Sequence, residues 1–191
     1  MNYFLLLLMA YLLGSIPTAL LFSKWIAESD IRRLGDGNMG ARNTQHVFGW
    51  RPGFWVALVD LLKGMGAVAL ARWLKMDLTW QMLAGAFTVI GHDFPIFAHF
   101  RGGQGMAASA GTMLLLFYEE TLLGLFVFGL VYLLTRHFDL SASFGFGAVV
   151  YQLVRSFKSF SLVFYALVLL LSIPLKKYWD SHHRFAHYVR S

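Results

Sequence analysis

YFLLLLMAYLLGSIPTALLF, residues 3–22, runs for twenty positions without one charged side chain. An α-helix rises 1.5 Å per residue, so about 20 apolar residues cross a hydrocarbon core of about 30 Å. The run has neither the basic leading segment nor the small-residue cleavage site of a signal peptide, so it is expected to persist as a first span. Within it, Gly14-Ser15-Ile16-Pro17 predicts a kink and a helix-packing point, because proline lacks an amide donor and glycine allows close backbone approach.

Working outward, further apolar segments occupy residues 54–74, 78–98, 106–118, 121–135, 141–154 and 160–175. The segments at 106–118, 121–135 and 141–154 are short, and Glu119-Glu120 is expected to separate the first two of these. Charged residues make up 14% of the 191-residue chain, 58% is hydrophobic and the mean hydropathy is +0.58. A soluble domain carries about 25% charge to cover its surface. The predicted fold class is therefore all-α: a polytopic membrane protein of about seven transmembrane helices, with residues 1–191 forming a single integral membrane domain.

The chain has no cysteine, which excludes disulfides and thiolate metal sites. Its net charge of +6 comes without the basic run that a nucleic-acid partner would need. In a membrane protein such an excess reflects the cytoplasmic-loop bias. Lys24, Arg32, Arg33, Arg42, Arg51, Arg101, Arg136, Lys176, Lys177, Arg184 and Arg190 fall on one side of a seven-span arrangement. Arg72, Lys75, Arg155 and Lys158 fall on the other, and Lys63 lies within a span. The N-terminus is accordingly expected outside and the C-terminus in the cytoplasm.

Two glycine-rich loops share the cytoplasmic side. The first includes Gly35-Asp36-Gly37-Asn38-Met39-Gly40-Ala41-Arg42-Asn43. Gly and Asn tolerate left-handed backbone, so successive amides can converge on an anion; the same residues also build ordinary turns. The second carries Gly91-His92-Asp93-Phe94-Pro95, then Arg101-Gly102-Gly103-Gln104-Gly105 before the next span. Amides at a helix N-terminus beside an arginine suit a phosphate, although such glycines also let helices pack closely. Asp60 and Lys63, three residues apart on one helical face, are expected to pair, since either charge alone in lipid costs at least about 2.5–3.5 kcal/mol. His92 and His183 are candidate proton carriers. His182, His183 and His187 lack the glutamate of a zinc motif, so no metal site is predicted.

Taken in order, Gly14–Pro17, Asp30–Asn43, Asp60–Gly64 and Gly91–Gly105 resemble the membrane-integral, acyl-phosphate-dependent glycerol-3-phosphate acyltransferases of bacteria, and the resemblance covers most of the chain. It implies a seven-helix fold with a cytoplasm-facing site in the cell membrane. It further implies acyl transfer from acyl phosphate to glycerol 3-phosphate, giving lysophosphatidic acid and phosphate without any cofactor. Asn38, Gly40, Arg42, Asn43 and His46 would then sit near the acceptor, and Arg101, Gly102, Gly103, Gln104 and Gly105 around the acyl phosphate. Lys63 and His183 would support them and His92 would help to bind substrate; apart from the resemblance, Asp36 would act as a base toward a neutral acceptor, a change of mechanism.

The chain departs from the family pattern at several polar positions. Asp36 stands in a serine position, Arg42 replaces a threonine and His46 an arginine. Gln104 replaces a lysine, and Asp139 and Ala142 replace two serines, while Ala186 falls where the last family motif has asparagine. Each lost charge-assisted hydrogen bond costs roughly 1.5–3 kcal/mol. Three readings follow: an acyltransferase, with an altered acceptor as a variant; a catalytically lapsed lipid- or anion-binding relative or accessory subunit; and, on broken helices alone, a transporter.

Overall fold

The computed structural model of the chain describes residues 2–156 and 158–188, with side chains in the last helix described through His182. Nine α-helices occur among the described residues: α1 (Tyr3–Gly14), α2 (Thr18–Ala27), α3 (Ala41–Phe48), α4 (Trp50–Trp73), α5 (Leu78–Asp93), α6 (Met106–Leu116), α7 (Tyr118–Thr135), α8 (Phe138–Arg155) and α9 (Phe160–Tyr188). Short 3-10 turns lie at Ile31–Arg33 and Ile96–Ala98, and no strand is present among the described residues.

Local chemistry sets these boundaries. The Asn2 side chain accepts from the Phe4 amide and opens α1, and Asp77 accepts from the Trp80 amide and opens α5. The expected kink is a complete break: α1 stops at Gly14 and α2 restarts at Thr18, with Pro17 between them. Two sequence expectations need correction. The segment expected at 78–98 is helical only to Asp93, because Pro95 pushes Phe94 out of the α region. Glu119 and Glu120 do not separate two helices but occupy the first turn of α7, where the positive end of the helix dipole favours carboxylates.

Every predicted apolar segment is thus largely helical, counting α1 and α2 together. Four stretches are long and apolar enough to cross a membrane: Tyr3–Ala27, Trp50–Trp73, Tyr118–Thr135 and Phe160–His182. The apolar helix α6 has only 11 residues, roughly 17 Å of rise. Trp25, Trp73 and Phe160 stand at helix ends with 81%, 78% and 82% of their surface exposed, an arrangement suited to a lipid–water boundary.

Helix α4 is the hub, packing against α1, α2, α3, α5 and α6. Its contact with α6 is reciprocal: a Cβ at Gly64 would strike the Ala108 carbonyl, and one at Gly111 the Leu61 carbonyl. Gly14 and Gly91 do the same between α1 and α5, and Gly124 and Gly145 between α7 and α8. Small residues at helix contacts replace the hydrophobic drive that lipid removes.

At one end of the bundle the two glycine loops meet. Ile31 and Met39 from the α2–α3 loop share a buried cluster with Ala98 from the α5–α6 loop, over Ala19, Leu20 and Val56. Arg32 donates to the Ala98 carbonyl at 3.3 Å while its guanidinium grips Asp30. That guanidinium holds the Asp30 carboxyl below the usual carboxylate range. Gly64→Leu and Gly111→Leu are expected to destabilise the protein by at least about 2 kcal/mol, read as a fall in thermal midpoint in detergent. Gly147→Ala in α8, where a Cβ would meet nothing within 4 Å, should instead be neutral or stabilising by about 0.5–1 kcal/mol.

Candidate functional site

The α2–α3 loop is folded by its own side chains. Gly35 and Gly37 take positive φ of 59° and 72°, conformations that cost other residues energy. Asn43 then staples the turn: its carboxamide oxygen accepts from the Asp36 amide at 3.1 Å, and its nitrogen donates to the Leu34 and Asn38 carbonyls. A carboxylate oxygen of Asp36 accepts from the Asn38 amide at 2.9 Å. This is an Asx turn, the same work a serine hydroxyl performs more weakly. Asp36 therefore holds the bend while adding charge.

A cavity of about 640 Å³ opens beneath this loop. Its deep walls are apolar, contributed by α4 (Phe54, Ala57, Leu58, Leu61), α6 (Ala107, Ala110, Met113), α7 (Leu125, Phe128) and α8 (Phe146, Val149). Its polar end carries Asp36, Asn38, Arg42, Asn43, Asp60, His92, Gln104 and Lys177. Asn38 is 93% buried, and its carboxamide nitrogen is buried without a hydrogen-bond partner. A buried donor left unsatisfied costs about 1–3 kcal/mol, so it is prepared for an acceptor oxygen.

A second, more polar cavity of about 980 Å³ abuts the first and is lined by Gly35, His46, Tyr132, Arg136, His137, Asp139 and Leu140. The two share a wall of Asp36, Arg42, Asn43, Gln45 and Phe138. In that wall the Arg42 guanidinium lies over the Phe138 ring, 5.0 Å from its centroid. Asp139, in the first turn of α8, accepts from Arg42 and from Lys177 of α9, each at 2.9 Å.

Below the polar end lies a buried charge network. Lys63 donates to the Ile16 carbonyl, to the Thr18 hydroxyl and, at 2.8 Å, to Asp60. Thr18 donates to the same Asp60 oxygen at 2.8 Å, and His92 Nδ1 stands 3.6 Å from it. Asp60 and Lys63 are 1% and 4% exposed.

The predicted site residues separate into groups. Asp36, Asn38, Gly40, Arg42, Asn43, His92, Gln104 and Gly105 line the apolar cavity, and His46 lines the polar one. Lys63 does not line the cavity; it sits behind Asp60 and ties α4 to the break in the first helix. Gly102 and Gly103 pack against residues 92–95, and the Gly103 amide donates to the His92 carbonyl at 3.1 Å. Both glycines are closely packed there. Arg101 is exposed and lines neither cavity. The side chain of His183 lies outside the described residues.

Asp60, Gln45 and Lys177 join the lining without having been singled out as site residues. The i, i+3 spacing of Asp60 and Lys63 signals a pair but not which partner faces the cavity. Lys177 sits at the basic end of the last apolar run, where it counts only toward topology. Among the described residues no group of three or more His, Cys, Asp or Glu side chains is arranged to hold a metal. Lys63→Met, which strands Asp60 in the interior, is expected to cost about 3–5 kcal/mol of stability. Asp60→Asn combined with Lys63→Met should recover part of that loss in the same denaturation measurement.

The sequence pattern of the glycerol-3-phosphate acyltransferase family matches residues 4–187. A glycerol-3-phosphate acyltransferase of Listeria welshimeri is 46% identical over 115 residues, 59% of this chain and 58% of that protein. Glycerol-3-phosphate acyltransferase 2 of Bacillus anthracis is 35% identical over 170 residues, 88% of each chain. The fold superposes on the crystal structure of PlsY (YgiH), an integral membrane glycerol 3-phosphate acyltransferase in its glycerol 3-phosphate form. There the TM-score is 0.86 at 26% identity, over 97% of this chain and 92% of that one. Apolar helices, a lipid-sized cavity under a glycine loop and these likenesses agree: the chain belongs to the glycerol-3-phosphate acyltransferase family of integral membrane enzymes of phospholipid biosynthesis.

Proposed function

We propose that this chain transfers a fatty acyl group from an acyl phosphate to the 1-hydroxyl of glycerol 3-phosphate, releasing lysophosphatidic acid and inorganic phosphate. The observation that carries this reading is the 640 Å³ cavity, whose apolar depth ends on the unsatisfied Asn38 donor. Family membership and the relatives named above support the acceptor. The acyl tail lies between α4, α6, α7 and α8, and its carbonyl comes up to Asn38, His92 and Gln104. The acceptor enters through the adjoining polar cavity. Its hydroxyl oxygen attacks the acyl carbonyl, the bond to phosphate breaks, and the proton passes to the departing phosphate or to Asp36. Placement and electrostatic stabilisation are then the protein's main contributions, and the atoms balance without a cofactor.

We further propose seven membrane crossings with the N-terminus outside and both cavities facing the cytoplasm. What supports this is that Arg32, Arg42, Arg136 and Lys177 gather at the cavity end of the bundle, as the loop-charge bias requires. A second reading, a lapsed relative that binds lipid without turnover, is favoured by one observation: Asp139 already pairs with both Arg42 and Lys177.

Purified protein given an acyl phosphate and labelled glycerol 3-phosphate should form lysophosphatidic acid and phosphate together. Asn38→Ala is expected to lower kcat/KM by about 10–100-fold, the worth of one charge-assisted hydrogen bond. Gly103→Leu, which drives a side chain into His92, should abolish turnover. Saturable binding of acyl phosphate with no transfer to glycerol 3-phosphate would establish the lapsed reading instead.

A further inference from the structure

We propose that Asp139 is a specificity-determining residue, an internal stand-in for a phosphate group that occupies a two-cation site built by Arg42 and Lys177. This rests on the acceptor reading above and deepens it by assigning where the acceptor's phosphate binds. Three observations converge. The Asp139 carboxylate places one oxygen 2.9 Å from Arg42 and the other 2.9 Å from Lys177, so two cations from α3 and α9 are held at the spacing of one oxyanion. Arg42 belongs to the wall between the two cavities, and Lys177 reaches the rim of the apolar one. An anion held there stands next to the place where the acyl carbonyl would meet an acceptor hydroxyl.

The tie is also displaceable. The Asp139 side chain is 58% exposed and those of Arg42 and Lys177 are 52% exposed. Exposed ion pairs contribute little because solvent screens them and holding two long side chains costs entropy. A phosphate dianion offers three oxygens and twice the charge, and Arg136, His137 and His46 line the same polar cavity and add to its attraction. Asp36 lines both cavities and opposes the anion. Asp139 is thus a competitor built into the chain: it sets how much phosphate is needed to occupy the site and rejects acceptors that lack a phosphate able to displace it.

Full-length protein in detergent is titrated with inorganic phosphate, glycerol 3-phosphate and glycerol. Asp139→Asn, or Asp139→Ser if the first variant folds poorly, is expected to bind the two phosphate compounds about fivefold or more tightly than the wild type. Glycerol binding should be unchanged, and the gain should vanish when Lys177→Ala is added. In the unaltered protein, saturating inorganic phosphate should protect Lys177 from an amine-reactive reagent. Equal or weaker phosphate affinity in both Asp139 variants, or no protection of Lys177, would overturn the proposal and leave Asp139 as a structural tie. These readouts need no turnover. Acyl transfer with no change of phosphate affinity sinks this inference alone, whereas tighter phosphate binding without transfer sinks only the proposed reaction.

Discussion

The structure depends on one buried charge network. When the first helix breaks at Ser15–Pro17, the Ile16 carbonyl accepts from the Thr18 amide, and Lys63 reaches across from α4 to donate to it as well. The ammonium cannot be left alone in an apolar interior. Asp60, Thr18 and His92 surround it or share its counter-ion. Helices α2, α4 and α5 and the break that follows α1 are locked in register by this requirement. The side of Asp60 turned from Lys63 becomes part of the cavity lining, so the network that fixes the bundle also supplies the floor of the site.

Upon that floor the glycines act in two different ways. Gly35 and Gly37 supply left-handed turns in the first loop, whose polar groups Asn43 and Asp36 then largely satisfy. Gly102 and Gly103 supply clearance, letting the second loop lie against His92 and Asp93 with the Gly103 amide already engaged. The Asn38 carboxamide, Arg42 and Lys177 line the cavities beside these bends. Asp36 and Asp139 bear on those side chains directly. The first keeps a turn hydrogen bond, and the second ties two cations together.

Division into two cavities follows from the same geometry. The long apolar space needs helices that approach closely at one level and diverge at another. The glycine contacts of α4 with α6 and of α7 with α8 provide the close level. The polar space needs the ends of α3, α7 and α8 to meet away from lipid. Arg42, stacked on Phe138, closes the wall between them. An apolar and a polar space are thereby kept separate while sharing one wall.

Much of this was legible in the chain itself. Apolar runs and clustered charge determined an all-helical membrane protein, since lipid leaves the backbone no other partner than itself. Gly14–Pro17 marked the break, and the ordered glycine and aspartate motifs marked the family. The i, i+3 spacing of Asp60 and Lys63 determined that they pair. Only the tertiary structure decided which polar residues face a cavity. Lys63, Gly102 and Gly103 make close contacts behind the cavity wall, while Asp60 and Lys177 line it. The reason is physical: sequence spacing fixes neighbours along one helix, whereas a cavity wall is assembled from five or more elements whose mutual rotation is set by close glycine contacts and by one buried ion network.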